Sequence, residues 1–174
     1  MVYAMKHMPM IVGLAAVVMY VISYQKKNRR GIVICGATSR ALYVIQYLLL
    51  GALSGAVLDI IGTVASILAG RKHSPLIRKN LRLILVLLNL SMIIAGALLY
   101  ENIFSLFPVL GVMLQTGAFW LEDEKNIRRM SLAGCPFWLS YNIISGAYGS
   151  VVGDILSIIS LTVAIFRYDI PRKK

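Results

Sequence analysis

Three observations predict an all-α, polytopic membrane protein: the composition, the division of the chain into apolar runs, and the placement of basic residues between those runs. The expected architecture is seven transmembrane helices in a 3+1+3 parallel repeat, with the N-terminus outside and the C-terminus cytoplasmic. Of 174 residues, 59% are hydrophobic and 14% charged, and the mean hydropathy is +0.77. Soluble domains average about 45–50% apolar and about 25% charged, so a water-soluble core of this size could not hide so much apolar surface.

An apolar run of about 17–25 residues can cross a bilayer as a helix. The first span is Met8 to Tyr24, followed by "QKKNRR". The second is Gly31 to Leu50, and "GALSG" turns the chain into the third, Ser54 to Gly70. The basic loop "RKHSPLIRKNLR" leads to the fourth, Leu83 to Tyr100. After "ENIF" the fifth runs to Leu121, and "EDEKNIRR" precedes the sixth, Met130 to Ser145. "SGAYG" opens the seventh, which ends near Phe166. Seven spans send sixteen of the 18 Lys and Arg residues to one face. Positive loops stay cytoplasmic, which sets the expected orientation. The strong positive cluster follows the first span instead of preceding it, and no A-x-A cleavage pattern appears, so the span is expected to be retained rather than removed as a signal peptide. The net charge of +11 is explained by these flanking clusters. No basic stripe with interleaved aromatics points to nucleic acid.

Shifting the chain by 95 residues places Asp59 on Asp154, Gly51 on Gly146, Tyr43 on Trp138 and Gln46 on Tyr141. Met8, opening span one, falls on Ile103, opening span five, and "NRR" (28–30) answers "IRR" (127–129). Spans one to three therefore repeat as five to seven, and span four inverts the chain so that both triplets enter from the same side. The expected units are residues 1–75, a first triple-helix bundle; 76–102, a linker helix; and 103–174, a second bundle.

This pattern resembles the SWEET and PQ-loop superfamily, and within it the YgjV-type bacterial inner-membrane proteins. The resemblance is carried by "SRALYVIQYLLLGAL" (39–53), "LFPVLGVMLQTGAFW" (106–120), "RRMSLAGCPFWLSYNIISGAYG" (128–149), "IFR" (165–167) and Arg71. The chain departs from it where the family often has His, at Gln46 and Tyr141, and no proline-glutamine pair marks spans one or five. The resemblance implies the fold, a bacterial cytoplasmic (inner) membrane location and, by superfamily analogy, transport.

An ionised Asp at a helix centre costs about 2.5–3.5 kcal/mol on insertion scales. Asp59 shares a stripe with Gly55, Gly62, Thr63 and Ser66, and Asp154 shares one with Ser150 and Ser157. Small and hydroxylic residues mark helix contacts in membranes, so both acids are expected to point inward. Each is either a structural acid or half of a symmetric pair at a central site. Arg40 is the only basic residue within a span, about 6 Å deeper than Asp59 by helical rise, within reach for a salt bridge. Its repeat counterpart is Cys135, so this charge is asymmetric, and would suit a zwitterionic or anionic solute. Gln46, Gln115, Trp138, Tyr141 and Asn142 complete the candidate substrate-binding residues, and Asn89 is expected to bond a neighbouring helix.

Metal-ligand clusters, cofactor motifs and enzyme signatures such as HExxH, GxSxG or a P-loop are absent from the sequence, so no cofactor and no enzymatic activity are expected. The leading expectation is a transporter of a small polar solute, working by alternating access between the two bundles and coupled to protons through the paired acids. The alternative is a receptor, interaction module or structural membrane protein of the same fold. The bilayer is the expected surrounding; a homo-oligomer remains open.

Overall fold

The computed structural model describes residues 2–51, 53–100, 102–144 and 148–170. Side chains are described for 8–51, 55–100, 102–144 and 150–170. The expected turn at 145–147, the side chains of Lys6 and His7, and the basic tail at 171–174 lie outside these residues.

All regular structure among the described residues is helical. The helices are α1 (Val2–Gln25), α2 (Arg29–Leu50), α3 (Leu53–Gly70), α4 (Pro75–Lys79), α5 (Leu81–Leu98), α6 (Leu106–Ala118), α7 (Glu124–Ile144) and α8 (Tyr148–Ala164). A 3-10 turn at Ile103–Ser105 leads into α6, and a π-turn at Ile165–Asp169 closes α8.

Local chemistry sets several ends. Asn28 caps α2, its side chain accepting from the Gly31 N–H at 2.7 Å, which satisfies one of the amides left free at a helix start. At the other end of α2, Gly51 has φ 71°. That left-handed conformation favours glycine, and it makes the turn into α3 tight. Pro75 opens α4 in its first turn, where its missing N–H costs nothing. The segment read as a basic loop thus contains one short helix. α7 begins at Glu124, six residues before the apolar run. Glu124 sits favourably at the positive end of the helix dipole, and buried Ile127 and Arg128 carry the helix through the charged stretch.

By length and composition, four stretches can cross a membrane: Met8–Gln25, Arg29–Leu50, Leu81–Leu98 and Ser150–Asp169. Gly55–Gly70 and Ile103–Ala118 are apolar but shorter. Many large apolar side chains face outward on these helices, including Ile11, Leu14, Val86 and Leu87. Such a surface is at home in hydrocarbon and would aggregate in water.

α2 packs against both α1 and α3, and α7 packs against both α6 and α8. The two sets meet where α1 touches α8 and α3 touches α6, and α5 lies against α3 and α6. One buried cluster joins Tyr24, Ile32, Val33, Phe119, Ile127 and Leu161 near the basic ends of the helices. A second joins Leu58, Met92, Val109, Val112 and Trp138. Close approach needs a missing side chain at Gly36, where an added Cβ would lie 2.5 Å from Cζ of Phe119. Polar stitches support the packing. Ser39 Oγ donates to Ala16 O at 2.7 Å, and Gln25 Nε2 donates to Ser160 O at 2.9 Å. Asn89 departs from expectation: its Nδ2 donates to Leu85 O of its own helix at 2.8 Å. The side chain bonds back to the carbonyl four residues earlier, as short polar side chains within helices can.

Candidate functional site

The two acids and the arginine meet in one place. Arg40, buried on α2, donates from Nη1 to Asp59 Oδ1 of α3 at 2.8 Å and from Nη2 to Gln115 Oε1 of α6 at 3.1 Å. Asp59 is 4% exposed. The pair is therefore desolvated, and hydrogen bonds linking three helices hold it, although Arg40 Nε has no partner among the described residues. Gly62 makes room: a Cβ there would lie 2.8 Å from Arg40 Nη1. Across the site, Asn142 Nδ2 of α7 donates to Asp154 Oδ2 of α8 at 2.7 Å. Asp154 forms no salt bridge among the described residues.

Between these groups is a cavity of about 40 Å³, lined by Arg40, Asp59, Gln115, Trp138, Asn142 and Asp154, together with Tyr20, Tyr43, Tyr47, Ser150 and Ser157. Every helix of the two triplets contributes: α1, α2 and α3 from one, α6, α7 and α8 from the other. A water needs about 10–15 Å³ by this measure, so the cavity has room for a few waters. Sites for drug-sized ligands run to about 300–1,000 Å³. The arrangement is a small chamber with a polar and aromatic lining.

Six of the eight sequence-predicted site residues line this chamber. Gln46 does not. It faces α1 in a separate groove with Gly13 and Gly153, where a Cβ on Gly13 would lie 2.3 Å from its Nε2. Tyr141 is half-buried and not among the lining residues. At about 100° per residue, Asn142 comes round to the face of Trp138, four positions earlier, while Tyr141 is turned aside. Sequence reasoning missed Tyr20, Tyr43 and Tyr47. The latter two stack with ring centroids 6.1 Å apart. Their signal was available: Arg40, Tyr43 and Tyr47 recur at helical spacing on one face of α2.

A second set of polar contacts closes the basic end. Arg29, at the start of α2, donates from Nε to Leu121 O at 2.8 Å and from Nη2 to Ala69 O at 2.8 Å and Phe119 O at 2.6 Å. Lys72 Nζ donates to Trp120 O at 2.6 Å and pairs with Glu122 at 2.9 Å. Arg128, at the start of α7, donates from Nη2 to Lys26 O at 3.0 Å and pairs with Asp169. Carbonyls at a helix C-terminus lack internal partners and carry the negative end of the dipole, so cations bind there. Arg29 and Arg128 come from the matching "NRR" and "IRR" segments. Each reaches the C-terminal end of the opposite triplet's first helix: α6 for Arg29 and α1 for Arg128. The two halves are clamped together reciprocally.

A family model described as a bacterial inner membrane protein, Imp-YgjV, matches residues 7–171. The chain belongs to this family. Searches of the curated proteins and of the solved structures returned no significant match. The Imp-YgjV match covers both triplets and every residue lining the chamber. It places the chain in the bacterial inner membrane, the setting in which its outward apolar helices and inward charges are both stable.

Proposed function

We propose that this Imp-YgjV protein is a seven-span transporter of a small polar solute, working by alternating access between the two triplets. In this reading α1–α3 and α6–α8 are the moving bundles, α5 links them, the N-terminus is outside and the clamped basic end is cytoplasmic. The carrying observation is the chamber itself: six helices from both triplets supply its polar and aromatic lining, including the repeat-related Asp59 and Asp154. Arg40 is committed to Asp59 and Gln115, so it braces the site. Asp154 accepts from Asn142 and has no salt bridge among the described residues, so it is the carboxylate available to exchange a proton or receive a solute donor. The small volume fits a state closed around water, which must widen to admit a solute.

The test uses purified protein in vesicles loaded with a pH-sensitive dye. A panel of amino acids, sugars, polyols and small amines is added outside. At least one class should move protons in the parent and none in Asp154→Asn. No response to any class in the parent would count against transport. The chamber's size favours one alternative: an internal polar brace in a structural or interaction protein. There, Asp154→Asn would alter stability and nothing else.

A further inference from the structure

On the outer side of the first triplet, α2 and α3 leave a groove of about 420 Å³ that the chamber does not use. Arg30 and Arg71 stand at one end. Its walls are Val33, Ile34, Ala37 and Ala41 with Thr38, Thr63, Ser66 and Ile67. The hydroxyls do not make the walls polar. Thr38 Oγ1 donates to Ile34 O at 3.0 Å, Thr63 Oγ1 to Asp59 O at 2.7 Å and Ser66 Oγ to Gly62 O at 2.7 Å. Each is satisfied within its own helix, so the groove presents carbon to whatever lies in it.

The arginines differ from their neighbours. Arg29 and Lys72 are spent on carbonyls at the basic end. Arg30 and Arg71, adjacent to them, are exposed, and neither guanidinium has a hydrogen-bond or ion-pair partner among the described residues. Arg30 and Ala41, at the two ends of the α2 wall, are separated by about 16 Å of helix axis. One leaflet of the hydrocarbon core is about 15 Å deep. A groove one leaflet deep, apolar along its length and doubly cationic at the headgroup level, matches one class of molecule.

We propose that this groove binds an anionic phospholipid, with its phosphate held between Arg30 and Arg71 and one acyl chain lying along α2 and α3. A polar solute would find the hydroxyl donors of the walls already used within their own helices. A neutral lipid would fill the groove without engaging the arginines.

Native mass spectrometry of the purified full chain tests this, with dioleoylphosphatidylglycerol and dioleoylphosphatidylcholine in competition. The parent should retain the anionic lipid preferentially, by about tenfold. Arg30→Gln/Arg71→Gln should lose that preference, and Arg30→Lys/Arg71→Lys should keep most of it. Ala37→Trp, which fills the groove while leaving both arginines, should abolish retention at this site. Glycerol phosphate without acyl chains should not compete. Equal preference in the parent and the Gln pair, unchanged retention in Ala37→Trp, or competition by glycerol phosphate would each overturn the proposal. So would a dimer in light scattering that Ala37→Trp converts to monomer, because a second copy would then occupy the groove.

Discussion

Asp59 and Asp154 occupy matching repeat positions, yet their surroundings assign them different work. Asp59 is bound to a buried arginine at 2.8 Å. Asp59→Asn removes one charge of that pair and leaves Arg40 without its counter-ion. Breaking a buried pair in this way costs about 3–5 kcal/mol, so the melting temperature in detergent should fall by several degrees. Asp154→Asn keeps an acceptor for Asn142 and strands no cation, so thermal stability should stay near the parent's while proton-linked solute movement disappears. Differential scanning fluorimetry beside dye-loaded vesicles separates the two outcomes. Much of this site was legible in the sequence. Charged residues inside apolar runs are rare, and helical rise alone brought Arg40 within reach of Asp59. Tyr20, Tyr43 and Tyr47 were not singled out, because a tyrosine in an apolar run reads equally well as packing.

At the level of elements, the basic ends carry the least legible information. In sequence, Arg29, Lys72 and Arg128 look like any flanking cations. In the structure Lys72 is 8% and Arg128 2% exposed, and with Arg29 they bind carbonyls that their own helices do not supply. Which flanking cations turn inward depends on where neighbouring helices end, and span counting does not fix that. Arg29→Gln/Arg128→Gln removes both cross-triplet clamps. It should lower the melting temperature and, in the proposed transporter with its basic end in the cytoplasm, favour opening at that end, seen as faster thiol labelling from that side. The Lys72–Glu122 contact adds a pH effect. The hydrogen bond from Lys72 holds the Glu122 carboxyl below its usual pKa. A depressed carboxylate contributes stability above its unfolded pKa and loses it as pH falls through the folded value. Glu122→Gln should therefore lower the melting temperature slightly at neutral pH, and the difference should vanish in acid. Because Glu122 is solvent-exposed, high salt should shrink it.

For the whole molecule, the apolar runs marked the long helices, and the helix ends adjusted those bounds by up to six residues. α1 and α7 shifted most, each starting six residues before its expected span, α7 because a charged amphipathic start such as "EKNIRR" does not register as apolar. Asp59 on α3 and Asp154 on α8, 95 residues apart in the sequence, both reach the chamber. The seven-span arrangement has its own test. A reporter active only in the cytoplasm should give signal when fused at the C-terminus and none when inserted at 101–103; the reverse would invert the orientation. The proposal of alternating access is tested most directly by water access to the chamber, which needs no knowledge of the solute. Ser157 lines the chamber and is 3% exposed. In a chain with Cys35 and Cys135 replaced by alanine, Ser157→Cys should react with a membrane-impermeant thiol reagent added outside. Adding Arg29→Gln/Arg128→Gln should shift that reactivity to the cytoplasmic side. Labelling from neither side in both backgrounds would show a sealed interior and contradict transport through it.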